Sequence, residues 1–224
     1  MSRLQLFISA LIKFTLGIVL VGAMLFLPAG TLYYFGGWLF LALLFIPMLF
    51  LGAALLWKAP DLLEKRLSHK EKEKTQQGVV ALSGLLFLGG FVFAGLDHRF
   101  GWTQIPLPMI VIASAVLLIG YGMYAEVMRE NAYLSRTVEV QDGQTVVDSG
   151  LYGVVRHPMY LATILLFLAI PIVLGSWISF LFFLFYPAVI VVRIGNEEQL
   201  LSKELNGYAD YRKKVKYRLI PFIW

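Results

Sequence analysis

The 224 residues include no cysteine, which excludes disulfides, thiolate metal ligands and a thiol nucleophile. Histidine occurs three times, at His69, His98 and His157. That is too scattered for the ligand spacing of a zinc site, so no metal is expected. Charge is also scarce: 15% of residues are charged and 59% are hydrophobic, with mean hydropathy +0.75. Soluble domains are closer to half apolar, so composition alone makes this an integral membrane protein. Walker-type loops, dinucleotide glycine fingerprints and Ser-His-Asp patterns are missing too. The 19 basic residues outnumber the 14 acidic ones, but they sit in loops between apolar spans. Anionic lipid headgroups account for that placement, and no nucleic-acid partner is expected.

What is there is a series of long apolar runs. Leu4 to Leu27 is long enough for a hydrocarbon core of about 30 Å. It exceeds a signal peptide's apolar core and lacks its small-residue cleavage site, so a retained first helix is expected. Pro28-Ala-Gly30 predicts a tight turn. Tyr33 to Trp57 predicts a second span with interfacial aromatics at its ends, and Pro47 inside it predicts a kink. The polar stretch 58–77 carries Leu62, Leu63 and Leu67 on one helical face. It reads either as a surface-lying helix or as a solvated linker. Val79 to Leu96 and Pro106 to Val127 predict the third and fourth spans. In the polar segment 128–158, Asp142-Gly143 predicts a hairpin turn between Thr137-Val-Glu-Val140 and Thr145-Val-Val147. Tyr160 to Ile194 is too long for one span and is broken by Pro171 and Gly175-Ser176. It predicts a helical hairpin with arms near 160–173 and 177–203.

The expected fold is therefore an all-α, polytopic membrane helical bundle of about six helices, ending in that hairpin. Outside the first span, seventeen Lys and Arg residues fall in the N-terminus, the 58–77 and 129–157 segments and the region from 193 on, against Arg99 alone on the opposite side. The positive-inside bias assigns both termini and the polar segments to the cytoplasm. No transporter-like repeat is visible.

Several polar groups stand at that face. Arg156-His157-Pro158 opens the apolar run at the point where desolvating an Arg-His pair is costly. As a plain flank, Arg156 snorkels towards lipid phosphates and Pro158 starts the helix. Arg193 and Glu197 share a helical face, with Glu198 about 100° round; as a plain boundary they are an i,i+4 ion pair. Gly120 and Gly122 on the fourth span allow close approach of a helix or of a ligand. Together these groups suit a polar, zwitterionic small molecule held next to lipid.

The residues Ser149-Gly-Leu-Tyr-x-x-Val-Arg-His-Pro-x-Tyr160, Arg193-x-x-x-Glu-Glu198-x-x-Leu201, Tyr208-x-x-Tyr211-x-x-x-Val215 and Arg218-Leu-Ile-Pro221 resemble the isoprenylcysteine carboxyl methyltransferase and phospholipid N-methyltransferase superfamily. The resemblance covers residues 115–224, whereas 1–114 reads as N-terminal transmembrane helices without family signal. It implies S-adenosyl-L-methionine bound at the cytoplasmic side under a lid formed by the C-terminal tail. It also implies a lipophilic or lipidated acceptor. Carried over by motif, Tyr152, Val155, Arg156, His157, Pro158 and Tyr160 line the cofactor site, and Glu198 holds the cofactor's amino group. Arg193 and Glu197 face the reacting centre as catalytic residues. Gly120 and Gly122 resemble a weaker Gly-x-Gly element. Ala162 and Lys216-Tyr217 depart from the family pattern and bear on the shape of the lipid entrance.

Two other readings remain at this stage. One is a nicotinamide-dependent membrane reductase of the sterol-reductase type. Its Arg-His-Pro-Asn-Tyr pattern is preceded by Trp, where this chain has Met159 and Tyr152. The other is a non-enzymatic membrane adaptor or small transporter.

Overall fold

The computed structural model describes residues 3–67, 74–134 and 140–224. Within them the chain is helical and no strand forms. Helix α1 runs Arg3–Ala29 and α2 Phe35–Lys58, followed by the short α3, Pro60–Leu67. Then come α4, Lys74–Phe100, and α5, Leu107–Glu130. A 3-10 turn at Gly150–Gly153 precedes α6, Pro158–Val173. Next are α7, Trp177–Phe183, α8, Tyr186–Glu204, and α9, Tyr208–Lys214.

Among the described residues, five stretches are long and apolar enough to cross a membrane: α1, α2, residues 77–100 of α4, α5, and α7 with α8 taken together. This is an integral, multi-pass membrane protein. The sixteen residues of α6 are apolar but shorter than these spans. At 1.5 Å per residue it extends about 24 Å.

One core ties six of the helices together. Leu25 of α1, Phe40 of α2, Phe91 of α4, Leu117 of α5, Val173 of α6 and Phe183 of α7 are buried in a single cluster. Helix α5 packs along α6, and α4 packs against both α1 and α7. Glycine permits the closest approaches: a Cβ on Gly95 would lie 2.4 Å from the Leu25 carbonyl oxygen, and one on Gly36 2.7 Å from that of Leu174. At the end of the bundle away from the Arg156 segment, buried Asp97 accepts from the Thr103 amide at 2.7 Å and from the hydroxyls of Thr103 and Ser176. Tyr34 donates to the Leu174 carbonyl at 2.7 Å. These bonds fasten the α4–α5 loop to the α6–α7 turn.

Three local expectations change. The 58–77 stretch does contain a helix, but α3 packs on α1 and α2 with Leu62 and Leu63 buried. Lys13, the one charge inside the first apolar run, donates from Nζ to the Leu67 carbonyl at 2.6 Å. A cation there satisfies an unpaired carbonyl of the helix C-terminus. Residues 141–144 form the expected turn, with the Gln144 amide on the Gln141 carbonyl at 3.0 Å. Residues 145–147 form no strand, however, while Thr137 to Glu139 lie outside the described residues. The third change is in the second hairpin arm, which is not continuous. It breaks between α7 and α8 at Leu184-Phe185, where Pro187 in the first turn of α8 cannot donate a backbone hydrogen bond.

Candidate active site

The site is assembled where α5, α6 and α8 reach the Arg156 end of the bundle. Pro158 stands at the first position of α6, where a missing N–H costs nothing. The His157 carbonyl accepts from the amides of Tyr160 and Leu161 at 3.1 and 3.2 Å. A strap of chain from the C-terminal segment lies across this helix start. The Arg156 amide donates to the Tyr217 carbonyl and the His157 amide to the Arg218 carbonyl, each at 2.9 Å.

Beneath the strap, the carboxylate of Glu198 gathers three cationic or basic side chains. Its Oε1 accepts from Arg156 Nε at 2.7 Å and lies 3.2 Å from His157 Nε2, and its Oε2 accepts from Arg218 Nε at 3.0 Å. Arg156 further donates to the carbonyls of Val215 and Lys216 at 2.8 and 2.7 Å. Arg156, His157 and Glu198 are all buried. A buried carboxylate with this many donors is a closed, satisfied unit.

The cleft opens on the other side of this unit. Tyr152, Arg156, His157, Tyr160, Arg193 and Glu197 line it, together with Asn131, Tyr133, the 144–147 loop, Met159, Tyr208 and Tyr211. Arg193 and Glu197 do share a face of α8, and the phenol of Tyr160 bridges them. Arg193 Nε donates to the Tyr160 hydroxyl at 2.9 Å, and that hydroxyl donates to Glu197 Oε2. A guanidinium, a phenol and a carboxylate thus form one hydrogen-bonded line on the cleft wall.

Aromatic groups form another wall. Tyr152 accepts from Asn131 Nδ2 at 3.0 Å, and Tyr211 donates to the Tyr152 carbonyl at 2.8 Å. Burial pushes the Tyr152 phenol up to about 12, an effect the Asn131 hydrogen bond opposes and the charge of Glu197 reinforces. Tyr208 is different: its hydroxyl is buried and has no hydrogen-bond partner among the described residues. A buried, orphaned hydroxyl at a cleft is a place for a ligand or a water.

Six of the expected residues therefore meet in the cleft, and five do not. Val155 and Pro158 are buried behind it. Glu198 is held by Arg156, His157 and Arg218, so Glu197 is the carboxylate of the pair that reaches the cleft. Gly120 is a packing glycine, since a Cβ there would lie 2.9 Å from Leu166 Cγ. A Cβ on Gly122 would meet nothing within 4 Å among the described residues, and neither glycine lines the cleft. Asn131, Tyr133 and the 144–147 loop were missed. A polar and an aromatic residue directly beyond the fourth span, on the face already carrying Arg156, were the available signal.

Comparison with known proteins finds similarity over part of the chain. A model of the isoprenylcysteine carboxyl methyltransferase (ICMT) family matches residues 109–203. The resemblance holds over that stretch. The matched segment contains the 3-10 turn, α6, α7 and almost all of α8, hence Tyr160, Arg193 and the Glu197-Glu198 pair. Curated relatives include a Delta(14)-sterol reductase of Mus musculus, 28% identical over 132 residues, which are 53% of this chain and 32% of that protein. A Delta(14)-sterol reductase of Arabidopsis thaliana is 24% identical over 180 residues, covering 70% of this chain and 48% of the relative. The chain thus spans 32% to 48% of the length of these relatives. Among solved structures, the eukaryotic intramembrane Ras methyltransferase ICMT aligns over 99% of this chain and 96% of its own, at 18% identity and TM-score 0.47.

Proposed function

We propose that the protein is a membrane methyltransferase that uses S-adenosylmethionine to methylate a lipophilic acceptor, with its cleft at the cytoplasmic face. The carrying observation is the Arg193–Tyr160–Glu197 line, set in the cleft wall between α6 and α8. The family match over residues 109–203 supports the same reading, and the distribution of basic residues supports the sidedness.

The donor set fits such a cofactor. S-adenosylmethionine supplies, when bound, a methyl group on a positively charged sulfur, and its remaining groups are an ammonium, a carboxylate and a nucleoside. The faces of Tyr152, Tyr160 and Tyr208 with the Glu197 carboxylate favour cationic groups. The orphaned Tyr208 hydroxyl offers a hydrogen-bond donor to a polar one. Arg193 orients an anionic acceptor, such as the carboxylate of an isoprenoid or prenylcysteine-like molecule, which needs no base at neutral pH. For a lipid amine, Glu197 takes the proton as general base, with Tyr160 holding its carboxylate in position. In either case the residues chiefly align the reactants and exclude water.

The sterol-reductase relatives favour a second reading, nicotinamide-dependent reduction. The charges oppose it: two of the arginines suited to a nucleotide phosphate, Arg156 and Arg218, are already paired with Glu198. Equilibrium binding of labelled S-adenosylmethionine and of NADPH to purified protein in nanodiscs separates the two. S-adenosylmethionine binding, together with deuterated methyl transfer into a lipid extract detected by mass spectrometry, is the expected result. NADPH binding alone overturns the proposal.

A further inference from the structure

The C-terminal strap ends in a closed loop with an unusual exterior. The amides of Arg218, Leu219 and Ile220 all donate to the Trp224 carbonyl at 2.9–3.1 Å, and the Trp224 amide returns a bond to the Ile220 carbonyl at 3.1 Å. This loop turns its apolar side chains outward: Ile220 is 45%, Phe222 86% and Ile223 76% exposed. Phe222 also has φ 66°, a left-handed conformation that costs a bulky residue energy and persists only where the surroundings impose it.

The loop's position says what covers these side chains. Leu219 is buried with Ile190 and Ile194 of α8 and with Tyr186 two turns further in, and Trp224 packs against the same cluster. Ile190 precedes Arg193 by about one helical turn towards the middle of the span. The loop therefore lies at the depth where the apolar layer begins, the depth at which Val191 and Val192 stand exposed on α8. Just before the strap, α9 ends in Arg212, Lys213 and Lys214, which are exposed; Lys213 and Lys214 pair with Asp210 and Asp148 at the surface, where anionic headgroups compete for them.

We infer that the 218–224 loop is a membrane-docked wedge: Ile220, Phe222 and Ile223 are seated in the lipid interface, and this anchorage holds the strap over the Arg156–Glu198 unit. The partner is the bilayer surface, and the inference is independent of the methyl-transfer reading. Amphipathic elements with exposed bulky apolar groups and neighbouring cations settle at the headgroup–acyl boundary. The strap transmits the anchorage because its Tyr217 and Arg218 carbonyls are bonded to the amides of Arg156 and His157.

The absence of native cysteine makes the test direct. Phe222→Cys and Ile223→Cys are each labelled with a nitroxide and reconstituted into vesicles of phosphatidylcholine and phosphatidylglycerol, with Asp142→Cys on the exposed polar turn as reference. At both loop positions a water-soluble nickel chelate is expected to collide with the label at least ~tenfold less than at position 142, with oxygen collisions raised. In unlabelled protein, Phe222→Asp is expected to speed hydrogen exchange of the Arg156 and His157 amides about tenfold in vesicles and to leave it unchanged in detergent. Nickel access at 222 and 223 equal to that at 142 places the loop in water and overturns the inference. Unchanged amide exchange in vesicles overturns its second half, the hold on the strap.

Discussion

Glu197 and Glu198 are neighbours in sequence with different surroundings, and the difference is a matter of where each helical face points. Glu198 is 3% exposed and bound to Arg156 and Arg218. Removing its charge leaves two guanidinium groups without their carboxylate, so Glu198→Gln is expected to cost about 3–5 kcal/mol of stability. Glu197→Gln should leave thermal unfolding nearly unchanged while methyl transfer to an amine acceptor falls at least ~100-fold. Unfolding midpoints and turnover measured side by side check both, and equal losses of stability would remove the distinction. Tyr152 gives a pH signature. Its folded-state value of about 12 lies above the ordinary 10.0, so the folded state prefers the neutral phenol. The stability it contributes is complete below pH 10 and lost as pH rises towards 12. Alkaline unfolding of Tyr152→Phe should accordingly be shallower than that of wild type in this window. The motif residues were legible at this scale because charge and aromatic groups beside an apolar run are rare. The assignment within the Glu pair was not, because it depends on Arg218, twenty residues away and brought over by the strap.

At the level of elements, the apolar runs predicted the long helices to within a few residues, since length and hydropathy suffice for a span. What they left out is how helices touch. The break between α7 and α8 follows from Pro187, yet Pro47 and Pro171 lie inside helices, so proline alone did not locate the interruption. The seat of α3 likewise depends on Lys13, 54 residues from the carbonyl it meets. Glycines show the same dependence on tertiary contact. Gly95→Ala would drive its Cβ to 2.4 Å from the Leu25 carbonyl oxygen, a backbone atom in α1, whereas Gly84→Ala meets nothing within 4 Å among the described residues. The first is expected to destabilise by about 1–3 kcal/mol through forced separation of α1 and α4. The second should be neutral or stabilising by up to about 1 kcal/mol, as Gly is a poorer helix former than Ala. Unfolding of the two variants in mixed detergent tests the contrast, and similar losses would contradict this packing.

The whole molecule is less divisible than its sequence suggests. Recognisable motifs begin in α5, and the family model starts at residue 109, which invites a division into an anonymous N-terminal half and a catalytic C-terminal half. The packing runs across that line. Phe40 and Phe91 share one core with Leu117, Val173 and Phe183, and α4 lies against α7 and α8, which carry Arg193 and Glu197 at their far end. Lys65 of α3 also donates to Gln141 at 2.6 Å, and Gln141 to the Tyr133 carbonyl at 2.6 Å, so the N-terminal half braces the loop that closes the cleft. Apolar helices attract little sequence constraint beyond being apolar, because lipid and helix neighbours are similar solvents. Helices α1, α2 and α4 lie before the stretch that the family model matches, yet they share its core. A fragment of residues 105–224 expressed alone is therefore expected to enter membranes but to be degraded and to bind no S-adenosylmethionine. Co-expression with residues 1–104 should restore a protease-resistant, ligand-binding pair, because the interface is made of preformed helices meeting through one core. Full binding by the C-terminal fragment alone would show that the first four helices are dispensable, contrary to the single core described above.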